Sequence, residues 1–317
     1  MEEVSVEAAG GRTLRVVDAG EPGGKPVFYL HGTPASRVLD PRWAADAVRQ
    51  GLRLISYDRP GYGGSTPWAG RRVADAATDV LAIADTLNLP RFAVWGISGG
   101  GPHALACAAL LPSRCVGAAV LASPAPPELD PGSRNTKVNK HVSSEPLPTA
   151  QEQQAWKDAH REKDANATRS LISLVEVLAS DRPSFKRWIY RLLLPRYIGR
   201  AEAKALSREC AQWTFLSASE GFRQGKGVEG SQDDEIAIYH QSWGLDLASI
   251  KVPVLLWHGE QDQFVSVREG RWLASRIPGV EARFPPEDGH VSLAEYRIPQ
   301  VHEWLLAKFA EKQYPSS

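Results

Sequence analysis

The chain has 317 residues, 43% of them hydrophobic and 23% charged, which suits one large domain or one domain carrying a sizeable insertion. Its 37 basic and 37 acidic residues cancel, so nothing in the charge favours a nucleic-acid partner. Three cysteines without a CxxC spacing predict neither a disulfide framework nor a metal site. No run approaches the roughly 20 apolar residues of a membrane span, and the acidic N-terminus does not resemble a signal peptide, so we expect a cytoplasmic protein.

Apolar runs alternate with helical patterns along much of the chain. The runs that predict strands are residues 13–18, 27–30, 52–57, 92–97, 116–122, 254–258 and 280–284. Helical spacing of apolar residues occupies residues 36–50, 73–87, 100–111, 269–276 and 291–312. Near-continuous apolar strands that alternate with helices predict an α/β fold with a mainly parallel sheet, covered by helices on both faces.

The alternation stops after Ser123 and resumes near Leu247. Several prolines open this stretch, which then reads as long, polar and mostly helical, with Trp156, Trp188, Trp213 and Trp243 inside it. We therefore predict a core formed by residues 1–123 and 249–317, with a helical insertion at 124–248. The tryptophans either line an apolar pocket over the site or pack the insertion onto the core.

A G-x-S-x-G pattern at Gly96–Gly100 follows an apolar strand and precedes a helix rich in small residues. That context predicts a nucleophile elbow, in which a strained turn holds the hydroxyl of Ser98 clear of the sheet. The glycines two positions before and after the serine leave room for such a turn. The alternative is a glycine-rich turn at a cofactor phosphate, but the G-x-G-x-x-G register is missing. We expect no cofactor and no metal.

A serine nucleophile needs a base, and an acid that orients the base. In elbow proteins the acid and then the histidine come later in the chain, each after a strand. Asp262 follows the predicted strand at 254–258, and His290 follows the one at 280–284, so both belong to loops at the carboxyl edge of the sheet. The other candidates for the acid are Glu260, Asp288, Glu128 and Asp130.

Acyl transfer also requires backbone N–H donors for the oxyanion. The N–H of Gly99 follows the nucleophile directly, and the loop His31–Pro34 follows the strand at 27–30. Because Pro34 has no N–H, Thr33 is the candidate for the second donor. The alternative for this loop is an ordinary tight turn.

Five motifs in this order resemble those of the α/β-hydrolase superfamily, in its serine-nucleophile, cap-bearing branch. They are the HG loop at 31–34, the D-x-x-G-x-G-x-S turn at 58–65, the elbow at 96–100, the acid loop at 258–262 and the histidine loop at 289–290. The resemblance implies an eight-stranded sheet, a structural role for the 58–65 turn, and a helical cap in place of the insertion.

The serine at the elbow disfavours haloalkane dehalogenases and epoxide hydrolases, which resemble this layout but carry aspartate there. The prediction is a serine hydrolase that cleaves an ester-like bond of a small or medium apolar molecule through an acyl-enzyme. One alternative is a lactonase or carbon–carbon bond hydrolase with the same three residues. Another is a ligand sensor of the same fold that does not turn over its ligand.

Overall fold

A computed structural model of the protein describes residues 1–128, 149–179, 196, 198–206, 208–223 and 228–310. Eight strands form one sheet: β1 Glu2–Ala8, β2 Arg12–Gly20, β3 Lys25–Leu30, β4 Leu52–Tyr57, β5 Phe92–Ile97, β6 Cys115–Leu121, β7 Val254–Trp257 and β8 Glu281–Arg283. Their order across the sheet is β1-β2-β4-β3-β5-β6-β7-β8. The β1–β2 and β2–β4 pairs are antiparallel and every other pair is parallel, which confirms the predicted fold class.

The helices that the structure describes are α1 Pro41–Gln50, α2 Ala76–Thr86, α3 Gly100–Leu110, α4 Ala150–Ala179, α5 Arg200–Ala205, α6 Arg208–Gly221, α7 Glu229–Glu235, α8 Val267–Arg276, α9 His290–Tyr296 and α10 Ile298–Ala310. The four helices α4 to α7 lie between β6 and β7, within the stretch predicted as an insertion. Among the described helices, none has both the length and the apolar character needed to cross a membrane.

Alternate residues of the central strands pack on opposite faces of the sheet. Phe28 and Val94 belong to one buried cluster, whereas their neighbours Tyr29 and Trp95 belong to the other. Helices α2, α3 and α8 contribute buried residues to the first cluster, and α1 and α10 contribute to the second. Because strands buried on both faces need apolar residues at every position, the sequence shows continuous rather than alternating apolar runs.

Two elements differ from the prediction. Strand β1 was not predicted, because its Glu-Val-Ser-Val pattern is short and half acidic, and most of its side chains are exposed at the edge of the sheet. The predicted helix at 291–312 is two helices, α9 and α10. Pro299, the second residue of α10, has no N–H with which to continue the hydrogen bonding of α9, so the chain turns there.

A buried ion pair attaches α2 to the antiparallel part of the sheet. Arg12 Nη2 on β2 lies 2.7 Å from Asp79 Oδ1 on α2, with both side chains less than a tenth exposed. The same guanidinium donates through Nε to the carbonyl of Ala9 at 3.1 Å and covers the ring of Trp68. A second pair on α2, Arg114 to Asp85, is 3.0 Å long but partly open to solvent.

These two pairs predict different effects of the same substitution on one helix. Asp79→Asn leaves the buried Arg12 charge uncompensated and should lower the free energy of unfolding by about 3 kcal/mol. Asp85→Asn should lower it by less than about 1 kcal/mol, because solvent screens that pair. Urea denaturation of both variants measures the difference, and equal losses would contradict the structural role given to Arg12 and Asp79.

Candidate active site

Ser98 occupies the tight turn between β5 and α3. Its φ of 54° lies in the left-handed region, and its N–H donates to the carbonyl of Leu121 at 2.9 Å. A Cβ at Gly96 would lie 2.3 Å from the carbonyl oxygen of Gly100, and one at Gly100 would lie 2.0 Å from that of Leu30. Both positions therefore require glycine, and the turn holds a half-buried serine hydroxyl at the carboxyl edge of the sheet.

The predicted acid and base are in direct contact. His290 Nδ1 lies 2.8 Å from Asp262 Oδ2, and Asp262 Oδ1 accepts backbone N–H groups of Phe264 and Val265 at 2.8 and 2.9 Å. These two bonds fix the carboxylate in its loop after β7. With the proton on Nδ1 facing Asp262, His290 keeps Nε2 as its basic nitrogen.

Ser98 and His290 lie at the same edge of the sheet, after β5 and at the start of α9 following β8. Within the part of the chain that the structure describes, the hydroxyl of Ser98 forms no hydrogen bond to His290 or to another residue. Hydrogen bonds between a nucleophile and its base commonly tighten only when substrate binds. The structure thus brings Asp262 and His290 together, with Ser98 at the same edge and not yet bonded to them.

The charges around His290 favour its protonated form. Burial by itself lowers the pKa of His290, but the adjacent Asp262 carboxylate and the nearby Glu202 raise it above its ordinary value of 6.5. Burial likewise favours the neutral form of Asp262, yet His290 and His258 hold its pKa well below the usual range. His258 Nε2 lies 3.4 Å from Asp262 Oδ2, the same oxygen that His290 contacts. Asp262 therefore stays ionised beside a histidine whose basicity is increased.

The two predicted oxyanion donors are neighbours. A Cβ built on Gly99 would lie 3.3 Å from the backbone nitrogen of Thr33 and 2.3 Å from its Oγ1, so only glycine allows this approach. Among the described residues, neither the Thr33 nor the Gly99 N–H donates a hydrogen bond. Two adjacent N–H groups without acceptors, beside a serine hydroxyl, are able to bind a developing oxyanion.

A buried carboxylate of the insertion holds the Thr33 loop in place. Asp234 on α7 is fully buried and accepts the hydroxyl of Thr33 at 2.6 Å and that of Tyr62 at 2.7 Å. Its charge is balanced by Arg59 and Arg71, both at 2.5 Å. Although burial favours the neutral carboxyl, these two guanidinium groups keep the pKa of Asp234 well below its usual range. Arg59 also donates to the carbonyl of His31, so the 58–65 turn and the insertion fix the loop together.

A second buried carboxylate of the insertion, Glu202 on α5, contacts the loop that carries His290. It accepts the backbone N–H groups of His290, Val291 and Ser292, the last two at 2.7 and 3.3 Å. Sequence reasoning missed Glu202, Asp234 and Arg59. Asp234 belongs to an acidic run, Asp233-Asp234-Glu235, that is typical of a solvated helix face, and no spacing links the insertion to either loop.

The other candidates for the acid have other partners or positions. Glu260 is paired with Arg271 at 2.6 Å on the surface, and Asp288 accepts Arg297 Nε at 2.7 Å. Glu128 is exposed in the segment after β6, and Asp130 lies outside the described residues. Five of the described histidines are buried: His31, His103, His240, His258 and His302.

Two of the insertion's tryptophans have the packing role. The ring of Trp213 packs at a tilt against that of Trp43 of α1, with centroids 4.6 Å apart, and its Nε1–H donates to the carbonyl of Val38. Trp243 is buried in the main core and donates to the carbonyl of Ile238. Both therefore pack the insertion onto the core. Trp156 stacks on His160 within the insertion, and Trp188 lies outside the described residues.

Known proteins resemble this chain along nearly its whole length. A family model for the alpha/beta hydrolase fold matches residues 25–295. The "AB hydrolase superfamily protein YisY" of Bacillus subtilis is 26% identical over 299 residues, covering 94% of this chain and 95% of that protein. The "bifunctional esterase/perhydrolase DCH" of Acinetobacter calcoaceticus is 27% identical over 246 residues, 75% of each chain. An esterase from Exiguobacterium antarcticum has the same fold, with a TM-score of 0.65 at 21% identity, covering 98% of this chain and 100% of that one.

Asp233 and Asp234 offer a matched test of the buried network. Asp234→Asn leaves Arg59 and Arg71 buried without a carboxylate, and should lower the free energy of unfolding by about 3–5 kcal/mol. Asp233→Asn leaves one nearly buried cation, Lys157, without its carboxylate instead of two, and should cost less, about 2 kcal/mol. Urea denaturation monitored by tryptophan fluorescence distinguishes them. A loss for Asp234→Asn no larger than that for Asp233→Asn would be inconsistent with the network.

Proposed function

The chain belongs to the α/β hydrolase family, and on this premise we propose that it is a serine hydrolase that cleaves an ester-like bond through an acyl-enzyme. The observation that carries the proposal is the 2.8 Å contact of His290 with Asp262, at the sheet edge where the elbow presents Ser98. Ser98, Thr33 and His290 are half-buried, whereas Asp262, Asp234 and Glu202, which support them, are buried. The partial exposure of Ser98, Thr33 and His290 leaves the reacting groups accessible to a substrate.

In the proposed reaction the hydroxyl of Ser98 attacks the substrate carbonyl while His290 Nε2 accepts its proton. The oxyanion of the tetrahedral intermediate accepts hydrogen bonds from the backbone N–H groups of Thr33 and Gly99. His290 then gives the proton to the departing alcohol, which leaves an acyl group on Ser98. Water, deprotonated by His290, then attacks the acyl group, and His290 returns the proton to Ser98 Oγ as the carboxylic acid leaves. Asp262 stabilises the imidazolium in both steps.

We propose an uncharged small or medium acyl ester as the substrate class. The ring of Phe264 lies 5.2 Å from that of His290, so an apolar side chain borders the reacting groups. The relative from Acinetobacter calcoaceticus, which is named for esterase and perhydrolase activities, supports an ester substrate for this chain. No described group of three or more His, Cys, Asp or Glu side chains forms a metal site, and the proposed reaction needs no metal.

The assignment of the nucleophile is tested with a fluorophosphonate probe and p-nitrophenyl esters of increasing acyl length. The wild-type protein should be labelled on Ser98 and should turn over the shorter esters. Ser98→Ala should lose labelling and on the order of 10⁴-fold in kcat. Ser123→Ala removes another serine hydroxyl near the end of β6 and should keep both properties.

Two results would contradict the proposal. One is ester hydrolysis that survives in purified Ser98→Ala protein. The other is specific labelling of Ser98 with no turnover of any ester, which would favour a ligand sensor.

The acid limb of the pH–rate profile is expected above pH 6.5, the ordinary pKa of a histidine. Only neutral His290 accepts the proton of Ser98, so kcat/KM should fall as the pH drops through the pKa of His290 in the free enzyme. Because the carboxylates of Asp262 and Glu202 raise that pKa, activity should be lost at a higher pH than for an unperturbed histidine. Initial rates from about pH 5 to about pH 9 give the midpoint. A midpoint below 6.5 would show that these charges do not control the base.

A further inference from the structure

We infer that Glu202, from the helical insertion, is a positioning residue for the proposed base His290, so that the insertion supplies part of the machinery as well as covering it. The inference rests on the proposed function and goes beyond it, because it gives a role in the reaction to a residue outside the three that carry the chemistry.

The carboxylate of Glu202 accepts hydrogen bonds from three consecutive backbone N–H groups at the start of α9. Oε1 accepts the N–H of His290, and Oε2 accepts those of Val291 and Ser292. These are three of the N–H groups that the first turn of α9 leaves without intrahelical acceptors. A carboxylate at this end is also favoured by the helix dipole. Glu202 therefore fixes the backbone of the residue whose side chain must face Ser98.

The sequence around His290 fits this contact. A Cβ at Gly289 would lie 2.3 Å from Glu202 Oε1, so any larger residue would push the carboxylate away. The N–H of Gly289 donates to the hydroxyl of Ser292 at 2.6 Å, which completes the turn from within α9. The glycine of the histidine loop thus makes room for a side chain from the insertion.

Glu202 also acts on the charge of His290. Among the described residues, the charged groups that act on the imidazole are Asp262 from the loop after β7 and Glu202 from α5, and His258 Nε2 lies 3.4 Å from the same Asp262 oxygen. Burial raises the pKa of Glu202, and the neighbouring His290 and the backbone N–H groups oppose that rise. When ionised, Glu202 adds a second negative charge beside the base. A residue with a purely structural role, packing α5 against α9, would not raise the pKa of His290.

The test compares Glu202→Gln with Glu209→Gln, which removes the same charge from an exposed position of the insertion. Glu202→Gln should lower the plateau kcat about ten- to a hundredfold through misplacement of His290. It should also move the acid limb of kcat/KM to lower pH by roughly one unit. Glu209→Gln should leave both unchanged.

A readout that needs no substrate separates this inference from the proposed function. The pKa of His290, measured by NMR titration with His290→Gln to assign the signal, should fall in Glu202→Gln by the same roughly one unit. If the pKa falls but no ester is hydrolysed by the wild type, the proposed function fails and the link to Glu202 stands. An unchanged His290 pKa in folded Glu202→Gln overturns the inference, even if stability drops.

Glu202→Asp keeps the test decisive if the glutamine variant does not fold. Aspartate keeps the negative charge on a shorter side chain, so the acid limb should stay within about 0.3 unit of the wild type. The plateau kcat should still fall, because the shorter carboxylate cannot reach all three N–H groups. A wild-type plateau in this variant would contradict the positioning role.

Discussion

The left-handed turn at Ser98 is the constraint around which the carboxyl edge of the sheet is arranged. A non-glycine residue with a φ of 54° is costly, and the turn persists because its surroundings leave no other path. Gly96 and Gly100 lie against backbone carbonyls of the turn and of β3, where a Cβ would collide. Because Ser98 has a fixed position, the loops after β3, β7 and β8 can hold Thr33, Asp262 and His290 at defined positions around its hydroxyl. Close backbone packing thus maintains the unfavourable conformation of Ser98.

The insertion contributes to this edge through two carboxylates that are expensive to bury. Asp234 meets the loop of Thr33 on one side, and Glu202 meets the backbone of His290 on the other. An isolated buried carboxylate costs several kcal/mol, and each of these is compensated in a different way. Two arginines neutralise Asp234, whereas backbone N–H groups satisfy Glu202. The second arrangement leaves its negative charge acting on His290, which is why we assign to Glu202 rather than to Asp234 an effect on proton transfer.

Much of this arrangement could be predicted from the sequence because the core strands are apolar on both faces and end in short polar motifs. Asp262 and His290 were chosen from strand ends and from the order of the three residues in elbow proteins, and the structure places the two side chains 2.8 Å apart. Strand β1 could not be predicted in this way, since an exposed edge strand carries few buried residues. Glu202 and Asp234 could not be predicted either. Their roles depend on how the insertion packs over the core, which is a matter of tertiary contacts rather than of spacing along the chain.

In the proposed reaction the backbone N–H groups of Thr33 and Gly99 donate hydrogen bonds to the oxyanion formed at Ser98. A crystal structure of the protein after reaction with a small alkyl phosphonate tests it most directly, because the adduct resembles the tetrahedral intermediate. We expect phosphorus bonded to Ser98 Oγ, with one phosphonate oxygen about 2.7–3.1 Å from both backbone nitrogens. His290 Nε2 should then lie within hydrogen-bonding distance of Ser98 Oγ or of the leaving-group position. An adduct whose oxygens all face away from Thr33 and Gly99 would contradict the account.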